Sequence, residues 1–273
     1  MELEQQSKNY AARGLKVAAI TYDSTTVLKN FSERRAITYP LLSDEGSRVI
    51  KAFGILNENY PPGTPAHGVP FPVTYLVDAK GVVKRKYFEE DYRERFSAAN
   101  ILVREFKGPG VSGQDIDAKH LKLRTSASND SIYVGSRVTL LVDVTLPPKV
   151  HVYAPGVQGY RPIEWTLTES KSWIATAPEF PSAKTLHLKA IGETVPVFER
   201  TVRITRDLVA GQAGELKPAI AADGTLTVEG MFRYQACDDK VCYAPEQVPL
   251  KWTFPVTALD SVRVPPELRK GVQ

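Results

Sequence analysis

Residues 234–247 read YQACDDKVCYAPEQ and hold Cys237 and Cys242, the only two cysteines among 273 residues. The four residues between them, DDKV, suit a hairpin in which Cys237 ends one strand and Cys242 begins the next. Opposed Cα atoms of antiparallel strands lie about 4.5–5.5 Å apart, inside the roughly 4.4–6.8 Å that a disulfide spans. The pair can therefore close without moving the backbone. As a staple it is modest, because loop entropy gives about 2 kcal/mol for a six-residue loop against about 4.7 kcal/mol for 100 residues. A metal site is disfavoured: structural zinc wants four ligands in close pairs, and His67, His120, His151 and His187 are scattered. No metal or other cofactor is assigned, and a structural disulfide and a working redox pair both stay open.

The flanking pattern points to strands. Leu226, Val228, Phe232, Tyr234 and Ala236 alternate with Thr227, Glu229, Arg233, Gln235 and Cys237. Side chains two apart share a strand face, so parity puts Cys237 on the polar side, with a reachable sulfur. Asp238 and Asp239 disfavour a thiolate there, and Lys240 favours one. The same period of two recurs at Val138, Leu140, Val142, Val144 and Leu146, at Ile163, Trp165 and Leu167, at Phe198, Val202 and Ile204, and at Val248, Leu250, Trp252 and Phe254. Such strands with turn signals between them imply an antiparallel sandwich of roughly 140 residues. The tryptophans read as core residues.

Upstream the pattern changes. Helices are expected over 2–13, closed by Gly14, and over 25–35, 47–53 and 93–106, with Phe96 on the apolar side of the last. Strands are expected over 16–22, 39–42 and, as a hairpin, VTYLVD and VVKRKYF either side of AKG. This alternation implies an α/β domain. The expected organisation is an α/β domain over 1–107, a flexible linker over 108–118 beginning GPGVSGQD, an all-β sandwich over 119–258 and a loose tail over 259–273.

Composition narrows the function. Hydrophobic residues make up 42 % and charged residues 24 %, which suits a globular chain with a real core. The net charge of +4 carries no basic stripe, so no nucleic-acid partner is expected. No apolar run approaches the roughly 18 residues of a membrane span, and no secretory signal is seen.

YQACDDKVCYAPEQVPLKWTF resembles the active-site hairpin of the DsbD N-terminal periplasmic domain family, which has tyrosine, cysteine, a short loop, and cysteine-tyrosine-x-proline. The matching residues are Tyr234, Cys237, Cys242, Tyr243 and Pro245. HVYAP, 151–155, is similar to the family's early strand, with Tyr153 as the aromatic residue beside the cysteines. The loop between the cysteines is about one residue shorter than in the family. The resemblance implies an immunoglobulin-like sandwich whose Cys237–Cys242 pair exchanges electrons with a thioredoxin-like or membrane thiol:disulfide exchange protein. It also implies a periplasmic or otherwise extracytoplasmic setting, where disulfides persist. The family's shielding cap loop falls at KAIGET, 189–194, which lacks an aromatic residue.

KVAAITYD, YPLLSDE with AFGI after it, and FPVTYLVDAKGVV resemble the thioredoxin-like redoxin group that includes the alkyl hydroperoxide reductase and thiol-specific antioxidant family. The resemblance implies a cis-proline at Pro72. It also implies a first strand and a cysteine motif that this chain lacks, so the domain is expected to be incomplete at its N-terminus. Peroxidases of the group carry an arginine where Pro72 stands, which favours a thiol exchanger. The readings are thus a thiol:disulfide oxidoreductase or electron relay of the bacterial envelope, a peroxiredoxin-type peroxidase whose nucleophilic cysteine is missing from this chain, and a non-enzymatic immunoglobulin-like binding module with a structural disulfide.

Overall fold

The computed structural model describes residues 2–64, 66–89, 95–188, 192–258, 262 and 265–268. The chain divides into two compact units, Met1–Leu102 with Leu259–Gln273, and Val103–Ala258. The stretch expected as a tail lies largely outside the described residues.

The first unit is α/β. In order it has α1 (Glu2–Ala11), β1 (Ala19–Thr21), α2 (Thr25–Arg35), β2 (Leu41–Ser43), α3 (Arg48–Ala52), β3 (Val73–Val77), β4 (Val83–Phe88), β5 (Arg95–Phe96) and the start of α4 (Ala98–Phe106). Ser24 caps α2 by accepting from the Val27 amide at 3.4 Å, and the helix ends where Ala36 turns left-handed at φ 50°. Asp44 caps α3 by accepting from the Val49 and Ile50 amides at 3.1 and 2.8 Å. β1 pairs with β2 in parallel, and β3 with β4 as the expected antiparallel hairpin. Among the described residues these form two separate two-stranded sheets.

Two expectations fail here. Phe96 lies outside α4, because Ser97 accepts from the Asn100 amide at 2.9 Å and so caps a helix that begins at Ala98; the expected start at 93–94 lies outside the described residues. The Phe71–Pro72 bond is trans, as are all peptide bonds among the described residues. Phe71 donates to the Ile55 carbonyl at 2.8 Å and the Pro72 carbonyl accepts from Glu89 at 3.3 Å. Pro72 thereby leads straight into β3, a place where its missing N–H costs no ladder bond, and the ordinary preference for trans stands.

The second unit is mainly β, with the end of α4, a one-turn helix α5 (Ala213–Leu216) and a 3-10 turn (Lys217–Ala219) besides its strands. Its strands are β6 (Val111–Ala118), β7 (Leu121–Ala127), β8 (Ser136–Thr145), β9 (His151–Tyr153), β10 (Glu164–Leu167), β11 (Trp173–Ala175), β12 (Lys184–Leu188), β13 (Glu193–Glu199), β14 (Thr201–Ala210), β15 (Thr225–Tyr234), β16 (Ala236–Cys237) and β17 (Glu246–Pro255). One sheet runs β11-β14-β8-β7-β6 and a second β10-β15-β17. Their apolar faces make one core that includes Val138, Leu140, Val142, Ile204, Leu226, Val228, Phe232, Trp252 and Phe254. Trp165 and Trp252 stack in it at 5.5 Å, as their apolar positions in the strand pattern predict.

The expected linker is a strand from Val111 onward. Its glycines serve close approach: a Cβ at Gly110 would stand 2.2 Å from the Ser126 hydroxyl oxygen. The ladder to β7 also slips between Val111 and Gln114, a bulge on an edge strand. Glycine read as flexibility is here glycine that lets two strands meet.

The third sheet, β12-β13-β9-β16, carries the cysteine hairpin. It is assembled from chain that leaves the other two sheets. β9 follows β8 after a turn at 147–150, β13 precedes β14 across Arg200 at φ 62°, and β16 follows β15 across Gln235.

Candidate functional site: the Cys237–Cys242 hairpin

Cys237 and Cys242 are joined by a disulfide with Cα atoms 4.0 Å apart and face each other as an isolated antiparallel bridge. The expected hairpin is present. Asp238 donates its amide to the Val241 carbonyl at 2.9 Å, and Tyr243 donates to Ala236 at 2.9 Å. The Asp238 carboxylate accepts from the Lys240 and Val241 amides at 2.7 and 2.9 Å and from the Tyr243 hydroxyl at 2.6 Å. Those bonds, the Tyr243 hydroxyl first, hold its acidity at a pKa of about 2. Tyr243 is further fixed by stacking on His120, ring centres 3.7 Å apart.

The two sulfurs differ in access. Cys237 is 1 % exposed and Cys242 lies on the surface. The parity expectation for Cys237 is therefore wrong. It assumes one continuous strand from Leu226 to Cys237, but β15 ends at Tyr234, and after Gln235 the chain pairs with β9 in another sheet. The face count restarts at that switch.

Tyr153 is buried beside the pair, its hydroxyl 3.6 Å from Cys242 Sγ and 3.7 Å from Cys237 Sγ. Disulfide sulfurs carry no proton, so the hydroxyl donates. Burial raises its pKa, and the nearby Glu193 charge adds to the effect. Tyr160 stacks on Tyr153 at 4.4 Å and donates to Glu193 Oε2 at 2.6 Å. That bond to a carboxylate pushes its pKa up to about 12. Tyr153, Val195, Val197 and Cys237 form a small apolar cluster, with Val157, Tyr160, Leu186 and Leu188 against it.

The remaining expected residues divide. Tyr234 is a core residue: it is buried, and its hydroxyl donates to the Lys119 carbonyl at 2.6 Å rather than reaching the sulfurs. Pro245 is exposed and precedes β17. Pro72 belongs to the other unit. The expected cap falls partly on 189–191, outside the described residues, and its Glu193 and Thr194 begin β13. Sequence reasoning missed Tyr160, which stands in a loop with no periodicity. It passed over His151, although the spacing H-x-Y puts His151 and Tyr153 on one strand face.

The comparisons with known proteins divide the chain as its composition does. Residues 1–86 match the AhpC/TSA family, and residues 121–251 match the family described as thiol:disulfide interchange protein DsbD, N-terminal. A peroxiredoxin Q from the chloroplast of Triticum aestivum is 34 % identical over 96 residues, 35 % of this chain and 42 % of that protein. A thiol-disulfide oxidoreductase ResA from Bacillus thuringiensis is 25 % identical over 87 residues, 32 % of this chain and 43 % of that protein. The chain thus spans less than half the length of these relatives. The N-terminal periplasmic domain of ScsB from Proteus mirabilis is a solved structure with 17 % identity and a TM-score of 0.35, over 53 % of this chain and 50 % of that one. One chain thus joins a segment similar to the AhpC/TSA family to a segment similar to the DsbD N-terminal family, and both likenesses are to thiol-redox families.

Proposed function

We propose that the chain is a thiol:disulfide oxidoreductase, an electron relay of the bacterial envelope that exchanges through Cys237 and Cys242. The observation that carries the reading is the asymmetry of the pair: an exposed Cys242, a buried Cys237, and the Tyr153 hydroxyl within 3.7 Å of both sulfurs. Exchange requires in-line attack by a thiolate on one reachable sulfur. A partner thiolate attacks Cys242 Sγ, the bond to Cys237 breaks, and its electron pair leaves on Cys237 as a thiolate beside a hydroxyl donor. A second partner thiol then attacks the mixed disulfide, releases Cys242, and leaves the chain reduced by two electrons. The reverse sequence oxidises it.

The likeness to the DsbD N-terminal family supports a partner that is itself a thioredoxin-like or membrane thiol:disulfide exchange protein, and a periplasmic or otherwise extracytoplasmic setting. No helix among the described residues is long and apolar enough to cross a membrane. In this reading Cys237 and Cys242 react, Tyr153 stabilises the departing sulfur, and Tyr243 holds the loop through Asp238. The AhpC/TSA-like segment contains no cysteine and serves as a docking module. The domain limits proposed are those of the two compact units rather than a break at a linker.

The test is the reduction potential of the pair in glutathione or dithiothreitol buffers. A value near about −200 to −270 mV supports exchange, and one below about −300 mV makes the disulfide a structural bond in a binding module.

A further inference from the structure

His151 occupies a position that the exchange reading leaves unused. In the ladder it stands directly opposite Cys237 on one side and Glu199 on the other. Opposed residues of antiparallel strands project to the same face, with Cβ atoms about 4.5–5.5 Å apart. Glu199, His151 and Cys237 therefore form a row across three strands, with Tyr153 two residues along on the same face. His151 is 4 % exposed, and its Nε2 is buried without a hydrogen-bond partner. A buried polar atom left unpaired costs free energy, and such atoms in native proteins call for a reason.

A buried thiol sets the requirement. In the closing step Cys237 attacks the mixed disulfide on Cys242, and only its thiolate is a nucleophile. Its proton has to go to a group near a sulfur that solvent barely reaches. Tyr153 is a donor with a raised pKa and is unsuited to accept it. The charges around His151 are Glu199, itself paired to Lys184 at 3.2 Å, and Asp238 and Asp239 of the hairpin.

We propose, building on the exchange reading, that His151 accepts the Cys237 proton when the reduced pair closes and returns it when the pair opens. In the closing direction Cys242 thiolate attacks a partner disulfide, expels one partner thiolate and forms a mixed disulfide. Cys237 then passes its proton to His151, its sulfur bonds to Cys242 Sγ, and the second partner thiolate leaves with the electron pair of the broken bond. The partner disulfide is reduced by two electrons, the cysteine pair is oxidised by two, and the imidazolium releases its proton to solvent. Burial lowers the His151 pKa, so the ring is neutral and receptive at neutral pH, while the surrounding carboxylates keep the protonated form within reach.

The reduced full chain mixed with 5,5′-dithiobis(2-nitrobenzoate) tests this, because the chromophoric thiolate leaves once on attack by Cys242 and once on closure by Cys237. In the parent, the second phase is expected to rise with pH through the His151 titration and then level off. His151→Gln should leave the first phase alone and slow the second by roughly tenfold or more at pH 7. Its rate should recover only at higher pH, where the buried Cys237 thiol ionises without an acceptor. A second phase with the parent's pH profile in His151→Gln overturns the proposal while leaving the exchange reading intact. A parent with no second phase overturns both. If circular dichroism shows His151→Gln unfolded, Glu199→Gln carries the test: removing the carboxylate should move the parent's inflection to lower pH, and an unmoved inflection overturns the proposal.

Discussion

At the residue scale, the site rests on single hydroxyl and carboxylate contacts whose removal has separable effects. Tyr153→Phe keeps the ring stacked on Tyr160 and deletes only the hydroxyl that reaches both sulfurs. A net hydrogen bond is worth about 0.5–1.5 kcal/mol, so reduction by dithiothreitol should slow by between about twofold and tenfold. An unchanged rate would remove Tyr153 from the mechanism. Asp238 makes a different prediction. Its pKa is held near 2, below the value of about 3.9 expected unfolded. Its contribution to the loop is thus complete above about pH 4 and disappears as pH falls toward 2. The carboxyl-carbon chemical shift of Asp238 should titrate with a midpoint near 2; a midpoint near 4 would mean that the Tyr243, Lys240 and Val241 bonds do not persist in solution. Of these residues, Tyr153 was legible from a motif, because a short strand carries it. Tyr160 was not, because its loop is placed by the stacking and the Glu193 bond, which are contacts remote in sequence.

At the element scale, the sequence was readable where an element is specified locally and unreadable where it changes partner. Helix α2 matches its expected span because Ser24 and the left-handed Ala36 mark its two ends. Strand β15 matches its alternation because one face lies on the core throughout. The alternation fails three residues later, since nothing in YQAC announces that Gln235 hands the chain to another sheet. The expected linker fails for a related reason, because a glycine needed for close strand approach looks the same as one that confers flexibility. Gly230 provides the test of that argument. It sits opposite Leu167, and a Cβ there would come within 2.5 Å of the Thr166 carbonyl oxygen. Backbone cannot give way as a side chain can, so Gly230→Ala should destabilise the second unit by about 1–3 kcal/mol in urea unfolding. A midpoint equal to the parent's would show that β10 can shift away from β15 at no cost.

At the scale of the whole molecule, two cores of unequal extent share one chain. Among the described residues, the sandwich buries large side chains from both of its main sheets, whereas the first unit buries a smaller set, including Tyr10, Leu28, Ile50, Ile55, Ile101 and Leu102. Less buried apolar surface means less of the chain's conformational entropy is offset, so the first unit should melt at the lower temperature in calorimetry. Only the sandwich contains cysteines, and redox state should therefore act on only one of the two transitions. Opening a disulfide that closes a loop of six residues removes about 2 kcal/mol of loop-entropy stabilisation. For a unit of roughly 150 residues this corresponds to a fall of about 4–8 °C in the upper transition. The lower transition should stay where it is on reduction. A shift of both together would mean that the units unfold as one cooperative body, and the exchange chemistry would then be felt by the AhpC/TSA-like segment. A shift of neither would mean that the hairpin contributes nothing to the stability of the sandwich, leaving chemistry as the whole reason for the pair.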